Sequence, residues 1–167
     1  MSALAPRVVV VMGVAGAGKS TLAAALARAL GARFIEGDAY HPEGNIAAMA
    51  AGRPLTDAMR EGWLDRLAEA GAKTPGRVVV ACSALRHAHR DRLRAGLGVC
   101  RFLYLACDAE TAAARVAARS GHFFAPELVP SQFAALEPPG PDERDAVTFA
   151  AALPPGRLLA EALRHVG

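Results

Sequence analysis

Two polar residue types, lysine and asparagine, are nearly absent from this chain. Only two of the 19 Lys and Arg residues are lysines, Lys19 and Lys73, and Asn45 is the one asparagine in 167 residues. Proteins that bind GTP recognise guanine through an Asn-Lys-x-Asp segment. Because Asn45 is followed by Ile46, that segment is missing, and we do not expect a GTPase.

Cysteines and long apolar runs are also scarce. The three cysteines, Cys82, Cys100 and Cys107, form no Cys-x-x-Cys pair, so we predict neither a disulfide framework nor a zinc site. No apolar stretch approaches the ~20 residues that cross a membrane. The run 8–14 leads into a glycine-rich turn rather than a cleavage site for a signal peptide. We expect a cytoplasmic protein with no membrane partner.

The charge pattern disfavours nucleic acid as a partner. The net charge is +3, but the arginines are dispersed and aromatic residues make up only 5% of the chain. Nucleic-acid binding usually combines clustered basic residues with stacking aromatics. Dispersed arginines fit a small anionic ligand better. The length suits a single domain, 1–167.

Short β-branched runs alternate with segments rich in alanine and leucine. Strands are predicted at 7–12, 33–36, 77–82, 101–106 and 146–149, and helices at 20–30, 41–51, 57–70, 87–95, 109–119, 131–136 and 156–166. Such alternation predicts a three-layer α/β fold, with a parallel five-stranded sheet and helices on both faces. Ligands of such sheets bind beyond the carboxyl ends of the strands.

A phosphate-binding loop follows the first predicted strand. The segment Gly13-Val-Ala-Gly-Ala-Gly-Lys-Ser20 matches Gly-x-x-x-x-Gly-Lys-Ser/Thr and precedes a predicted helix. The backbone N–H groups of Gly13, Val14, Ala15, Gly16, Ala17 and Gly18 are expected to surround phosphate oxygens. Lys19 would reach the β- and γ-phosphates of ATP, Ser20 would bind Mg²⁺, and Thr21 would contact the α-phosphate.

The acid that usually ends a neighbouring strand in ATPases is missing here. The third predicted strand runs into Ser83 and Ala84, which argues against ATPase motors and transporters and leaves small-molecule and nucleotide kinases. Instead, Glu36 and Asp38 follow the second strand. Residues i and i+2 of an extended chain face the same side, so we predict that both carboxylates point one way. One would hold Mg²⁺ through water, and the other would accept the proton of the substrate hydroxyl.

Several further segments resemble the P-loop gluconate kinases, a family of small-molecule kinases similar to adenylate and shikimate kinases. The resemblance covers about residues 8–147. Its segments are His41-Pro42 with Asn45, Gly52-Arg-Pro-Leu-Thr-Asp57 with Arg60 and Trp63, Cys82-Ser-Ala-Leu-Arg86, Arg90-Asp91, Gly121-His-Phe-Phe124, Ser131-Gln-Phe133, Leu136-Glu-Pro138 and Asp142-Glu-Arg-Asp145.

The resemblance implies phosphorylation of D-gluconate at its 6-hydroxyl by ATP, which yields 6-phospho-D-gluconate and ADP. It implies a substrate-binding helical segment at about 38–73, a mobile lid at about 119–138, and a homodimer. By the same resemblance Asp38 is the general base. Glu36 stands where the family usually carries Asp, and an outer-shell Mg²⁺ role is compatible with that change. Departures from the common residues fall at Ala48, Met59, Gly62 and Arg86.

A substrate carboxylate needs a cation, and arginine can bind a carboxylate with two parallel hydrogen bonds. Arg60 is the first candidate, and Arg86 and Arg90 are second choices. His41 either donates to a sugar hydroxyl or caps the helix that follows it. The sequence leaves both roles open.

Arg115 and Arg119 are four residues apart and share one face of a predicted helix. This pattern is similar to the lid of adenylate kinase, where one arginine stacks on adenine and the next clamps phosphate; a solvated helix face is the alternative. Closure of such a lid excludes water, and the clamp offsets charge on the transferring group. His122, Phe123 and Phe124 are expected to pack the lid. Mg²⁺ is expected to arrive with ATP.

Two other functions remain as alternatives. The chain could be a related kinase for shikimate or a nucleoside monophosphate, or a nucleotide-binding module without catalysis. The Ser131-Gln-Phe133 and Leu136-Glu-Pro138 segments speak against the first. The intact set of Lys19, Ser20 and Asp38 speaks against the second.

Overall fold

Valine-rich strands form the centre of the structure, a computed structural model that describes residues 5–119, 121 and 123–167. The five strands are β1 Val8–Met12, β2 Arg33–Glu36, β3 Val78–Ala81, β4 Cys100–Ala106 and β5 Ala146–Ala150. They pair in parallel in the order β2-β3-β1-β4-β5. Every residue of β1 is fully buried, as continuous apolar strands are when helices cover both faces of a sheet.

Seven helices surround the sheet in the described part of the chain. They are α1 Lys19–Leu30, α2 Glu43–Ala50, α3 Asp57–Lys73, α4 His87–Leu97, α5 Ala109–Ala118, α6 Val129–Ala135 and α7 Pro155–Val166. Side chains that bond the first turn set two of the starts: Thr56 accepts from the Met59 N–H, and Asp108 accepts from the Thr111 N–H. Two short 3₁₀ turns, Gly37–Tyr40 and Pro126–Leu128, were not predicted.

Alternate residues of the strands point into two separate apolar layers. Val9 and Val11 of β1 pack with Leu22 and Leu26 of α1 on one face. Helices α5, α6 and α7 add to the same layer. Val8 and Val10 pack on the other face with Leu64 and Leu67 of α3 and with Leu93 of α4. The predicted three-layer fold with a five-stranded parallel sheet is therefore confirmed, with element ends that differ by a few residues.

Loops that leave the carboxyl ends of the strands gather at one edge of the sheet. Residues 13–18 follow β1, the turn Gly37–Tyr40 follows β2, and Ser83 follows β3. The Gly13 N–H donates to the Ser83 carbonyl at 3.2 Å, which joins the first and third of these loops. Chemically useful residues from distant parts of the chain therefore meet there.

Within the described residues, the helices are too short or too polar to cross a membrane.

Candidate active site

A cavity of about 300 Å³ opens at the edge of the sheet where the strands end. It brings together most of the predicted site residues, which come from four separate segments of the chain. The predicted residues among its lining are Ala15, Gly16, Gly18, Lys19, Ser20, Thr21, Asp38, His41, Arg60, Arg115 and Arg119. Glu36 adjoins this set through Ser20, whereas Arg86 and Arg90 are not part of the lining.

The loop 13–18 has a backbone shape that depends on glycine. Gly16 and Gly18 adopt left-handed conformations, with φ of 84° and 94°. A Cβ on Gly16 would lie 2.6 Å from the Ala112 carbonyl oxygen, so the loop packs directly on α5. No side chain of the described residues caps the start of α1 at Gly18, which leaves its first N–H groups open to an anion.

Lys19 folds back over this loop. Its Nζ donates to the Val14 carbonyl at 2.9 Å. Burial lowers the pKa of Lys19, and the charge of Asp38 opposes that shift, while Arg119 adds to it. The ammonium group is therefore near both an acid and a second cation, inside a cavity that would place it against phosphate oxygens.

Ser20 and Glu36, the two residues predicted to hold Mg²⁺, are in contact. The Ser20 hydroxyl donates to Glu36 Oε2 at 2.5 Å. Hydroxyl and carboxylate oxygens are the hard donors that Mg²⁺ prefers. The described residues contain no cluster of three or more His, Cys, Asp or Glu side chains that could hold a metal alone. The pair fits an ion that takes its other ligands from phosphate and water.

Asp38 reaches the cavity by a different path from the one predicted. The expectation of an extended chain through Glu36 and Asp38 is wrong, because Gly37–Tyr40 forms a 3₁₀ turn. A Cβ on Gly37 would lie 2.2 Å from the Ala81 carbonyl oxygen, so the turn lies tightly against β3. Trp63 Nε1 donates to the Gly37 carbonyl at 2.8 Å and ties the turn to α3. These contacts hold Asp38 at the cavity wall.

His41 is buried beside Asp38 and is neutral at pH 7. Its ring stacks on Trp63 with centroids 4.1 Å apart, and Phe123 meets it edge-on at 6.0 Å. The Asn45 amide donates to His41 Nδ1, so the ring proton is on Nε2, 3.9 Å from Asp38 Oδ1. Burial lowers the pKa of His41 to about 4, against the charge of Asp38. Since no described side chain caps α2, the capping role is not supported.

Arg60 lines the cavity, and Arg86 lies close enough for its charge to act on Arg60. The Arg60 side chain is only 11% exposed, and the carboxylate of Asp57 lies 3.8 Å away. Burial lowers the pKa of Arg60, and the charge of Arg86 lowers it further. Within the described residues, the buried Nε of Arg86 has no hydrogen-bond partner. Arg60 thus offers the cavity a cation that is largely shielded from solvent, which suits an anionic ligand.

The candidate role of Arg90 in binding substrate is contradicted. Arg90 is fully buried, and Glu143 accepts from its Nε and Nη2, both at 2.7 Å. Carbonyls accept the other N–H groups, namely those of Ala84, Leu85 and Glu137. All five donors of the guanidinium are thus used inside the protein. The sequence places Arg90 near the end of a strand, but it does not reveal the distant acid, Glu143, that pairs with it.

Arg115 lies against the phosphate loop, and Arg119 lines the main cavity. Arg115 Nη1 donates to the Gly16 carbonyl at 3.2 Å, and Arg119 ends α5 at the cavity. Beside Arg115 is a second, more apolar cavity of about 440 Å³. Residues 151–155, which follow β5, form its other wall together with Leu158 of α7. Sequence reasoning missed this wall, for which Pro154-Pro155 after the last strand was the available signal.

The helix α6 contributes residues that the sequence analysis left without a role. Ser131 and Gln132 line the main cavity, and the Ala15 N–H donates to Gln132 Oε1 at 3.2 Å. Phe124 and Leu128 line the same side. The predicted lid, 119–138, includes Ser120 and His122, which lie outside the described residues.

The strand order, the phosphate loop at the end of β1 and the acid beside it define a P-loop kinase of the small-molecule type. A family model described as an AAA domain matches residues 8–138. The gluconokinase of Gluconobacter oxydans is 42% identical over 166 residues, which is 97% of this chain and 92% of that protein. The crystal structure of a gluconokinase from Sinorhizobium meliloti is 41% identical, with a TM-score of 0.85 over 96% of this chain and 91% of the other.

A shikimate kinase from Aquifex aeolicus shares the fold alone, with 14% identity and a TM-score of 0.63 over 95% of each chain. The two gluconokinases, unlike this shikimate kinase, share high sequence identity with nearly the full length of the chain. The chain belongs to the gluconokinase family.

Proposed function

We propose that this protein transfers the γ-phosphoryl group of ATP to the 6-hydroxyl of D-gluconate, which yields 6-phospho-D-gluconate and ADP. One observation carries the proposal: a single cavity joins a phosphate loop, a carboxylate and a largely buried arginine. These three features suit a triphosphate, a hydroxyl to be deprotonated and an anionic acceptor. Family membership supports the same reaction.

At the phosphate end, the open N–H groups of the loop and of α1 would bind phosphate oxygens. Lys19 and Arg119 would offset the negative charge that develops on the transferring group. Ser20 and Glu36 would hold Mg²⁺, with Glu36 acting through water. When bound, that ion supplies charge neutralisation at the β- and γ-phosphates. Thr21 would contact the α-phosphate.

At the acceptor end, Asp38 would accept the proton of the 6-hydroxyl as that oxygen bonds to the γ-phosphorus. The bond from phosphorus to the bridging β–γ oxygen breaks, and its electron pair leaves with ADP. The neutral His41 would donate from Nε2 to a sugar hydroxyl. Arg60 would bind the carboxylate at the other end of the acceptor, and Arg86 would add positive charge behind it.

The adenine ring would occupy the second cavity, between Arg115 and the loop 151–155. Arginine stacks well on flat aromatic groups, and the apolar lining suits the ring. The proposal treats residues 1–167 as one domain, with a substrate-binding segment at about 38–73 and a lid at about 119–138. It also includes a cytoplasmic location and a homodimer, which sedimentation of the purified protein would test.

The test is release of ADP measured with a panel of acceptors. The panel contains D-gluconate, shikimate, several nucleoside monophosphates and a control without acceptor, each with ATP and Mg²⁺. We expect turnover with gluconate, and ¹³C–³¹P coupling at carbon 6 of the product. Turnover with shikimate or a nucleotide in place of gluconate would overturn the substrate assignment. ATP binding without acceptor-dependent release would identify a module without catalysis.

A further inference from the structure

Gln132 is the one side chain of α6 that bonds the phosphate loop in the described structure. Its Oε1 accepts the Ala15 N–H at 3.2 Å, across 117 positions of sequence. Ala15 belongs to the loop whose N–H groups surround phosphate oxygens in this class of fold. The amide of Gln132 therefore lies at the rim of the phosphate cradle, in the cavity that also contains Lys19 and Asp38.

The chemistry of the contact fixes which way the amide faces. A backbone N–H only donates, so the oxygen of the Gln132 amide must face Ala15. The nitrogen, Nε2, carries two N–H donors and has no acceptor among the residues that the structure describes. Since the side chain lines the cavity, an acceptor for these donors would come from a ligand.

We propose that Gln132 binds the terminal phosphate of ATP. Its Oε1 keeps the Ala15 N–H, and its Nε2 donates to an oxygen of the γ-phosphoryl group, which rests on the proposed use of ATP. ADP lacks that oxygen, so only ATP engages α6 in this way. The bond links the nucleotide in the phosphate loop to α6, and Gln132 thereby distinguishes ATP from ADP.

The neighbouring residues are consistent with this role. Lys19, Arg115 and Arg119 supply positive charge to the cavity, whereas Gln132 supplies a neutral donor there. Ser131 also lines the cavity, but its hydroxyl donates to the Leu128 carbonyl at 2.6 Å and is engaged within the turn. Gln132 is thus the side chain of the Ser131-Gln-Phe133 segment with donors to offer.

The test compares the affinities of ADP and of the non-hydrolysable analogue β,γ-imido-ATP, measured by calorimetry with Mg²⁺ and without acceptor. The variants are Gln132→Leu, which keeps the approximate size, and Gln132→Glu, which keeps an acceptor for Ala15 but removes the donor. We expect Gln132→Leu to weaken the analogue about tenfold or more and ADP less than twofold, the scale of a hydrogen bond to a charged group. Gln132→Glu should weaken the analogue further.

Ala134→Glu is the matched control, because it adds the same charge to an exposed position of the same helix. It should leave both affinities unchanged, and melting curves should show that all variants fold. Equal loss of ADP and analogue in Gln132→Leu would overturn the proposal. Tighter binding of the analogue would also overturn it, because it would mean that Gln132 only competes with phosphate for Ala15.

The result is separable from the proposed activity, since the binding measurement uses no acceptor. Failure of the unmodified protein to phosphorylate gluconate would remove the proposed function and leave the Gln132 result standing. Where gluconate is turned over, Gln132→Leu should lower kcat about tenfold with the KM for gluconate unchanged. An unchanged kcat would count against Gln132 as a contact of the transferring group.

Discussion

The two ends of the cavity are built in different ways. The proposed phosphate end comes from eight consecutive residues, 13–20, whose backbone N–H groups would bind phosphate. The proposed acceptor end comes from side chains on separate elements, with Asp38 on a turn after β2, His41 just after that turn and Arg60 on α3. The conformation of the loop depends largely on its own glycines, Gly16 and Gly18. A set of side chains from several elements depends on packing between them.

The sharpest test of this contrast is Asp38→Asn. It removes the proposed proton acceptor while leaving the backbone cradle intact. We expect kcat to fall about 10²- to 10⁴-fold, the usual scale for a lost acid or base, with little change in ATP affinity. Steady-state kinetics and calorimetry check the two parts.

Glu43→Gln, a change of an exposed acid at the start of α2, serves as the control for Asp38→Asn. It should keep wild-type kcat. If Asp38→Asn turned over gluconate at the wild-type rate, Asp38 would not be the base. A parallel loss of ATP affinity would show that the two ends are not separable.

A substitution of Arg90 tests how much its buried ion pair with Glu143 stabilises the fold. Arg90→Met leaves Glu143 buried without its main partner, while Arg94 still contacts it at 2.9 Å. Breaking a buried pair in this way costs about 3–5 kcal/mol of the free energy of unfolding. Denaturant unfolding measures the loss.

Arg92, an arginine of the same helix with an exposed ion pair, is the comparison for Arg90. Arg92 bonds Asp65 at 2.7 Å on the surface, and Arg92→Met should cost less than about 1 kcal/mol. Equal losses from the two variants would mean that burial of Arg90 contributes nothing.

The sequence was sufficient to predict the phosphate loop and its place between β1 and α1, because the loop is encoded in consecutive residues. It also predicted the layers of the fold, since apolar runs such as Val8–Met12 report burial directly. It failed where partners are distant in sequence. The 53 positions between Arg90 and Glu143 hid an ion pair, and the 117 positions between Ala15 and Gln132 hid the contact of α6.

The prediction failed at the Gly37–Tyr40 turn for a different reason. Four residues after a strand carry too little periodicity to separate a 3₁₀ turn from extended chain. The turn forms because Gly37 lies against Ala81 and because Trp63, 26 positions away, bonds its carbonyl. In the sequence, only the glycine at position 37 indicated a turn. The reason for that glycine, its contact with Ala81 of β3, is visible only in the folded structure.

Arg60→Met tests the acceptor end and leaves the buried pair of Arg90 and Glu143 intact. It removes the guanidinium but retains length, so we expect the KM for gluconate to rise roughly 10- to 100-fold, the range for a lost hydrogen bond to a charged group. The KM for ATP should stay within about twofold. Arg60→Lys should recover only part of the loss, because an ammonium cannot form two parallel bonds with a carboxylate.

Arg66→Met changes an exposed arginine of the same helix and should leave both KM values unchanged. A rise in the KM for ATP in Arg60→Met would place that arginine at the phosphate end instead. No change in either KM would remove Arg60 from the substrate set.

Trp63→Phe gives the smallest effect and the finest test of how packing positions the acid. Phenylalanine retains an aromatic ring next to His41 but cannot donate to the Gly37 carbonyl, now 2.8 Å from Nε1. The turn that carries Asp38 then loses its tie to α3, and we expect kcat to fall about tenfold while the KM for ATP is unchanged. A merely structural role would lower the melting temperature and leave kcat at the wild-type value in the folded fraction. That outcome would mean that β3 alone, through Gly37, holds the acceptor end in place.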